Sequence, residues 1–410
     1  MTPGTMLSRT VVVGAGQAAV ALIAKLRALD PDRRITLIGD EPVVPYQRPP
    51  LSKDYLKGEL PADGLSLRPR DWFEGQGIEL RLGRSAIAID RAAKTLCLDD
   101  GAVVGYDHLA LCLGSEPRRL PAAVGGSLAG VYVLRRRADA DALRPALAGA
   151  SRVLIVGGGY VGLEVAAVVS GAGRTVTVLE AAPRILHRVA AEPTSDYFRE
   201  LHRRNGVRLL EGIGLVALSG QDRVARAILS DGSELPVDLV LVGIGTAPVV
   251  ELAARAGLAV ENGIAVDDRC RTSDPSIVAA GDCTSVPHAG GRIRLESVQN
   301  AIAQGETAAS TLCGRESPYR PKPWFWSNQY DVRLQIAGLS TGYDATLVRP
   351  GKRPGSQSVW YFRRSSLIAV DAINEPATYM VGRKLIEADI TPAEAHLTDP
   401  GFLLNSLIRW

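Results

Sequence analysis

Two stretches of the 410-residue chain repeat one pattern. Residues 10–29 read TVVVGAGQAAVALIAKLRAL and residues 153–166 read VLIVGGGYVGLEVA. Each is a short apolar run, a glycine-rich turn and then a segment with helical periodicity. Gly14, Gly16 and Ala19 fill a G-x-G-x-x-[GA] spacing in the first stretch; Gly157, Gly159 and Gly162 fill G-x-G-x-x-G in the second. The first glycine permits a tight strand-to-helix turn. The second lets the backbone approach a pyrophosphate with no Cβ in the way, and the third position keeps helix and strand close. The helix that follows offers free N–H groups and the positive end of its dipole to the phosphates. One such turn is weak evidence. Two, each set between a strand and a helix, confine the chain to an α/β architecture with parallel sheets and to two bound dinucleotides.

The strand after each turn sharpens this. RRITLIGDEP places Asp40 one residue beyond Gly39, the position where an acid for a ribose hydroxyl is expected. RTVTVLE ends in Glu180, 23 residues after Gly157, close to the ~20 expected. A carboxylate there favours the free 2′-hydroxyl of NAD over the 2′-phosphate of NADP, although Arg184 follows closely. Two dinucleotides in one chain point to hydride transfer from a nicotinamide to a bound flavin, with FAD as the cofactor and NADH as the electron donor.

Composition excludes several other classes. A formal net charge of +3 is too small for a generic nucleic-acid binder. Of 47 basic residues only seven are Lys, which leaves many rigid guanidinium forks for carboxylates or phosphates. The five cysteines, Cys97, Cys112, Cys270, Cys283 and Cys313, form no CxxC and no metal-ligand spacing, so no metal site and no redox disulfide are expected. No apolar run reaches the ~20 residues of a membrane span, and the first ten residues do not read as a signal peptide. The expectation is a cytoplasmic protein without a membrane partner.

Further motifs carry a family resemblance over almost the whole chain. DHLALCLGSEPR (107–118) resembles the strand and turn that leave the FAD domain of two-dinucleotide flavoproteins, and TSDPSIVAAGDC (272–283) resembles their second FAD fingerprint. PYQRPPLSKDYL (45–56), RLESVQNAIAQG (294–305) and PWFWSNQYD (323–331) are similar to segments of the NADH-dependent ferredoxin reductases of oxygenase systems. The resemblance implies a glutathione-reductase-like fold: two Rossmann-type dinucleotide-binding domains plus a C-terminal α+β domain. It places a discontinuous FAD-binding domain at 1–113 and 249–323, an NAD-binding domain at 114–248 and a C-terminal domain at 324–410. Short strands broken by Gly and Pro after Trp324 support the third of these.

The same resemblance implies residue roles. Ala18 and Asp40 would touch the adenosine end of FAD, Ala86 its adenine, Arg135 its pyrophosphate or flavin region, and Asp282 and Val298 its ribitol and ring. Lys53 would address the flavin and pair with Glu164. Burial favours such a pair because neither charge tolerates an apolar surrounding alone, and the neighbours of Glu164 are apolar. Trp326 would lie where electrons leave the flavin, with Trp324 anchoring the core; Asn328 stands where the family often has Asp. The implied activity is hydride transfer from NADH to FAD followed by single-electron transfer to an acidic [2Fe–2S] ferredoxin, which serves a cytochrome P450 or other oxygenase. Arginine clusters at 68/70, 118/119, 135–137, 203/204 and 363/364 would steer that partner. The rival readings are a rubredoxin or quinone reductase, and a non-catalytic NADH-binding redox sensor like apoptosis-inducing factor.

Overall fold

The computed structural model describes residues 8–288, 290–399 and 401–408. The chain forms two compact units, each assembled from three separate pieces of sequence: residues 8–47, 62–116 and 247–321 in one, and 48–61, 117–246 and 322–408 in the other.

The first unit is built on a five-stranded parallel sheet. Its order is Ile277–Ala279, His108–Leu111, Arg9–Val13, Arg34–Gly39, Ile78–Leu82. The strands are near-continuous apolar runs because both faces are covered, as parallel sheets require. Val11, Val12, Leu37, Leu109 and Ile277 are all buried in one core with Leu22, Ile23 and Leu26 of the helix Gln17–Leu29. The helix Val298–Leu312 packs closely on that helix. At Gly305 a Cβ would lie 2.4 Å from the carbonyl oxygen of Ala18, so only glycine permits the approach.

The second unit repeats the plan. Its parallel sheet runs Arg208–Glu211, Thr175–Glu180, Arg152–Val156, Leu239–Val242, Val131–Tyr132. In each unit the strand before the glycine turn is central. A three-stranded antiparallel sheet accompanies each: Ala86–Asp90, Thr95–Leu98 and Val103–Gly105 in the first, Leu215–Ser219, Arg226–Leu229 and Glu234–Pro236 in the second.

The second unit also holds the C-terminal residues. Five antiparallel strands take the order Trp324–Gln329, Val332–Gly338, Ser366–Ile373, Gln357–Arg363, Ala345–Pro350. The helix Pro376–Glu387 buries Tyr379, Val381 and Leu385; of these, Val381 and Leu385 join Trp360 and Val370 of the sheet in one core. The segment 48–61 belongs to this unit: Leu56 lies in the same core cluster as Leu143, Leu163 and Val332. Among the described residues no helix is long and apolar enough to cross a membrane.

Candidate active site

The two glycine turns have one geometry. Gly14 has φ +100° and Gly157 φ +111°, in the left-handed region that favours glycine. A Cβ would stand 2.1 Å from the carbonyl oxygen of Cys112 at the first and 2.3 Å from that of Gly243 at the second. The neighbouring strand therefore crosses directly over each first glycine. Gly16 and Gly159 behave differently. Both have extended backbone and act as N-caps that lack a side-chain hydrogen bond to the first turn, and a Cβ on either would meet no protein atom within 4 Å. Each thus borders open space beside uncapped amides, the surroundings a pyrophosphate needs. At the third position a Cβ on Gly162 would stand 2.2 Å from the carbonyl oxygen of Gly157, whereas Ala19 is accommodated fully buried.

The acids differ for a steric reason. A Cβ on Gly39 would lie 2.6 Å from Cβ of Ala15 in the turn, so the expected acid position excludes a side chain; Asp40, the next residue, is exposed. Glu180 ties down its own turn. Its Oε2 accepts from the Gly158 amide at 2.7 Å and its Oε1 from the Ala182 amide at 2.7 Å. A carboxylate retains further lone pairs for ribose hydroxyls. Arg184 is directed elsewhere: its guanidinium donates to Ser195 Oγ and, at 2.8 Å, to the Ala190 carbonyl.

In the first unit, Asp282 follows Gly281 (φ +89°) at the end of the strand Ile277–Ala279 and accepts from Ser115 Oγ at 3.2 Å. Ala18 is buried beside Gly281 and Gly305. Gln304, which the sequence reading did not single out, fixes this corner: its Oε1 accepts from the Gly281 amide at 2.7 Å and from Thr284 Oγ1 at 2.9 Å. Val298 opens the helix capped by Ser297, and Ala86 opens an edge of the antiparallel sheet.

In the second unit, Lys53 closes the 3₁₀ turn Pro49–Ser52 and meets Glu164 of the helix Tyr160–Gly171. Lys53 Nζ donates to Glu164 Oε2 at 2.5 Å and to the Pro49 carbonyl at 3.1 Å. The side chains are 14% and 4% exposed, so the pair is desolvated. Two hydroxyls complete the carboxylate's shell: Ser52 Oγ donates to Oε2 at 2.5 Å and Ser327 Oγ to Oε1 at 2.7 Å. Ser327 lies inside the WFWS stretch, where the aromatic residues drew attention and the serine did not. On the strand Trp324–Gln329, Trp324 and Trp326 share one face, with ring centroids 5.7 Å apart. Phe325, Ser327 and Gln329 share the other, and the Phe325 ring lies tilted against Tyr160 with centroids 4.7 Å apart. Arg135 is half-buried; its amide donates to Asp139 at 2.9 Å and its carbonyl accepts from Arg48 at 2.9 Å.

The thiols offer little chemistry. All five cysteines are free. Burial pushes Cys283 up to about 11 and raises Cys112 and Cys270 as well, so none of these three is a ready thiolate at neutral pH. Among the described residues no group of three or more His, Cys, Asp or Glu is placed to hold a metal ion.

A chain with two uncapped glycine cradles, each ending a central parallel strand, is a two-dinucleotide oxidoreductase. It belongs to the pyridine nucleotide-disulphide oxidoreductase family, which matches residues 8–305, and the reductase C-terminal family matches residues 324–408. Within that class it is a member of the ferredoxin reductases. It is 42% identical to a ferredoxin–NAD(P)(+) reductase of Sphingomonas sp. over 97% of both chains, and 41% identical to rhodocoxin reductase of Rhodococcus erythropolis over 95% of this chain and 92% of that one. The putidaredoxin reductase in a covalent complex with putidaredoxin superposes with a TM-score of 0.93 and 38% identity over 98% of each chain. The protein is accordingly an FAD enzyme that takes electrons from NAD(P)H, on a glutathione-reductase-like fold.

Proposed function

We propose that this enzyme oxidises NADH and delivers the electrons singly to an acidic [2Fe–2S] ferredoxin that serves a cytochrome P450 or another oxygenase, in the cytoplasm. The observation that carries this reading is the duplicated cradle: one turn per unit, each with an open second glycine and an uncapped helix. The flavin supplies the chemistry when bound, accepting two electrons as hydride and releasing them one at a time. The chain supplies binding, orientation and charge. The amides beyond Gly14 and Gly16, with Asp40, Ala86, Asp282 and Val298, hold FAD; those beyond Gly157 and Gly159, with Glu180, hold NADH. Lys53 presents an ammonium to the flavin, where a fixed positive charge stabilises negative charge developing on the ring. Glu164 keeps that ammonium in place. Trp326 lies on the electron exit path. No protein acid or base is required for hydride transfer, so catalysis here is positioning and electrostatics.

The direction of Arg184 toward Ser195 and Ala190 supports NADH over NADPH, because it leaves Glu180 unopposed at the ribose. We expect Glu180→Ala to lower the NADH-to-NADPH ratio of kcat/KM by roughly tenfold or more, as hydrogen bonds to a charged group contribute ~1.5–3 kcal/mol. An unchanged ratio refutes the assignment. The reading as a whole is tested by NADH-driven cytochrome c reduction with the purified holoenzyme and a panel of [2Fe–2S] ferredoxins. Stimulation by one or more of them is expected. Flavin that NADH does not bleach anaerobically, or faster turnover with rubredoxin or a quinone than with any ferredoxin, overturns it.

A further inference from the structure

The Glu164 carboxylate is the terminus of a longer buried chain. Beyond Ser327, Gln329 Nε2 donates to Ser327 Oγ at 3.2 Å. Gln329 Oε1 meets His202 Nε2 at 2.8 Å, His202 Nδ1 meets Tyr330 OH at 3.3 Å, and Tyr330 OH meets Ser170 Oγ at 2.9 Å. Ser327, Gln329 and His202 are at most 1% exposed. Three elements are tied together: the helix Tyr160–Gly171 at both ends of the chain, the strand Trp324–Gln329, and the last turn of the helix Glu192–Arg204.

The direction of every bond follows from its fixed end. Ionised in its pair with Lys53, Glu164 only accepts, so the Ser327 hydroxyl donates to it. With its proton committed, Ser327 accepts from the amide nitrogen of Gln329, which turns the amide oxygen toward His202. His202 Nε2 must then carry a proton. Burial lowers the His202 pKa, which keeps the ring neutral, so Nδ1 is an acceptor and Tyr330 donates to it. Ser170 donates to Tyr330. Each donor points along the chain toward Glu164, and no member is free to reverse without breaking a neighbour's bond. Aligned hydrogen bonds of this kind polarise one another and strengthen their terminus.

We propose that His202 and Gln329 are positioning residues for the Lys53–Glu164 pair: through Ser327 they fix the carboxylate, and with it the ammonium that addresses the flavin. This rests on the reading that Lys53 acts on the flavin. The chain is not a proton wire, because an amide at its centre does not relay protons.

The experiment uses holoenzyme and two readouts: the flavin's reduction equilibrium against NADH/NAD⁺, followed by absorbance, and the single-turnover rate of flavin reduction. His202→Phe keeps a planar aromatic ring, somewhat larger than imidazole, and removes both nitrogens. We expect a shift of roughly three- to tenfold toward oxidised flavin and a similar fall in rate, with KM for NADH unchanged, one polar link being worth ~1 kcal/mol. His202→Gln, whose amide restores the donor to Gln329, should recover most of both. In a Lys53→Met background His202→Phe should add nothing to the flavin shift. An unaltered flavin in His202→Phe, or an equal shift in the Lys53→Met background, overturns the proposal. If Lys53→Met by itself leaves the flavin equilibrium unaltered, the functional reading of Lys53 fails instead. Should His202→Phe not yield folded holoenzyme, Gln329→Met carries the same test with the same outcomes, since it removes the amide that links His202 to Ser327.

Discussion

Two buried acids of the second unit show how differently one side-chain type is used. Glu164 is matched by an ammonium and two hydroxyls. Removing either charge strands the other in an apolar site, which costs about 3–5 kcal/mol, whereas removing both costs less than the sum. We expect Lys53→Met and Glu164→Leu each to lower the thermal midpoint clearly, and the double variant to fall short of additivity by ~1–3 kcal/mol; strict additivity would mean that the pair is not energetically coupled. Lys53→Met should also weaken FAD binding and slow its reduction. Asp371 is the contrary case. It is fully buried, accepts from Thr194 at 2.7 Å and from Tyr361, and its Oδ1 has no partner. Burial lifts its pKa from 3.8 to about 6. A folded value above the unfolded one means that the folded state holds the proton more tightly. Its stabilising effect is therefore complete below about pH 4 and is lost as pH rises through 6, a swing on the order of 3 kcal/mol. Asp371→Asn should gain stability relative to wild type between pH 4 and pH 7. A midpoint difference that stays constant over that range refutes this.

At the level of elements, the glycine turns separate folding from binding. Gly157 serves the fold: at φ +111°, with a neighbouring carbonyl 2.3 Å from any Cβ, alanine there forces the strand Leu239–Val242 to move. Gly159 carries no such constraint on the fold: its backbone is extended and a Cβ meets nothing, and under the proposed function its place is against the dinucleotide. Gly159→Ala is therefore expected to leave the unfolding free energy within ~0.5 kcal/mol of wild type and to raise KM for NADH at least tenfold, while Gly157→Ala loses stability as well. Equal loss of stability in both would contradict the division. These turns were legible in the sequence because strand, turn and helix are local, and their spacing is dictated by close approaches within a few residues. The displacement of the acid from Gly39 to Asp40 was visible too, but its cause was not: it lies in the Cβ of Ala15, which only the folded turn brings near. Ser327 and Gln329 were missed although strand alternation puts them together, because aromatic residues dominated the reading of that stretch. His202 carried no signal at all. It is the buried member of a helix turn whose other basic residues, Arg203 and Arg204, are exposed, and its partners lie more than 120 residues away.

For the whole molecule, the sequence conveys two cradles but not which pieces of chain share a compact unit. Residues 48–61 lie in sequence between segments of the first unit and belong to the second, and what ties them there is long-range: Lys53 and Ser52 to Glu164, Tyr55 to Asp141 at 2.5 Å. No local pattern encodes such partners. Charge, by contrast, is a global property that the sequence states outright. The net charge is only +3, yet arginines 118, 119, 203, 204, 363 and 364 are all exposed. Local pairing offsets part of this, since Arg204 is bonded to Glu200 at 2.7 Å. Under the proposed function these arginines would steer an acidic ferredoxin, and such steering weakens as salt screens it over the ~8–10 Å Debye length of physiological solutions. The second-order rate of reduction of an acidic [2Fe–2S] ferredoxin should therefore fall roughly tenfold as ionic strength rises from ~0.02 to ~0.2 M, while single-turnover reduction of the flavin by NADH stays nearly constant. Reversing charge with Arg363→Glu and Arg364→Glu should flatten that slope if these residues belong to the steering field, and reversal at Arg118 and Arg119 provides the parallel test. A ferredoxin rate indifferent to salt would show that encounter is governed by apolar contact, and that the arginine excess plays no part in partner choice.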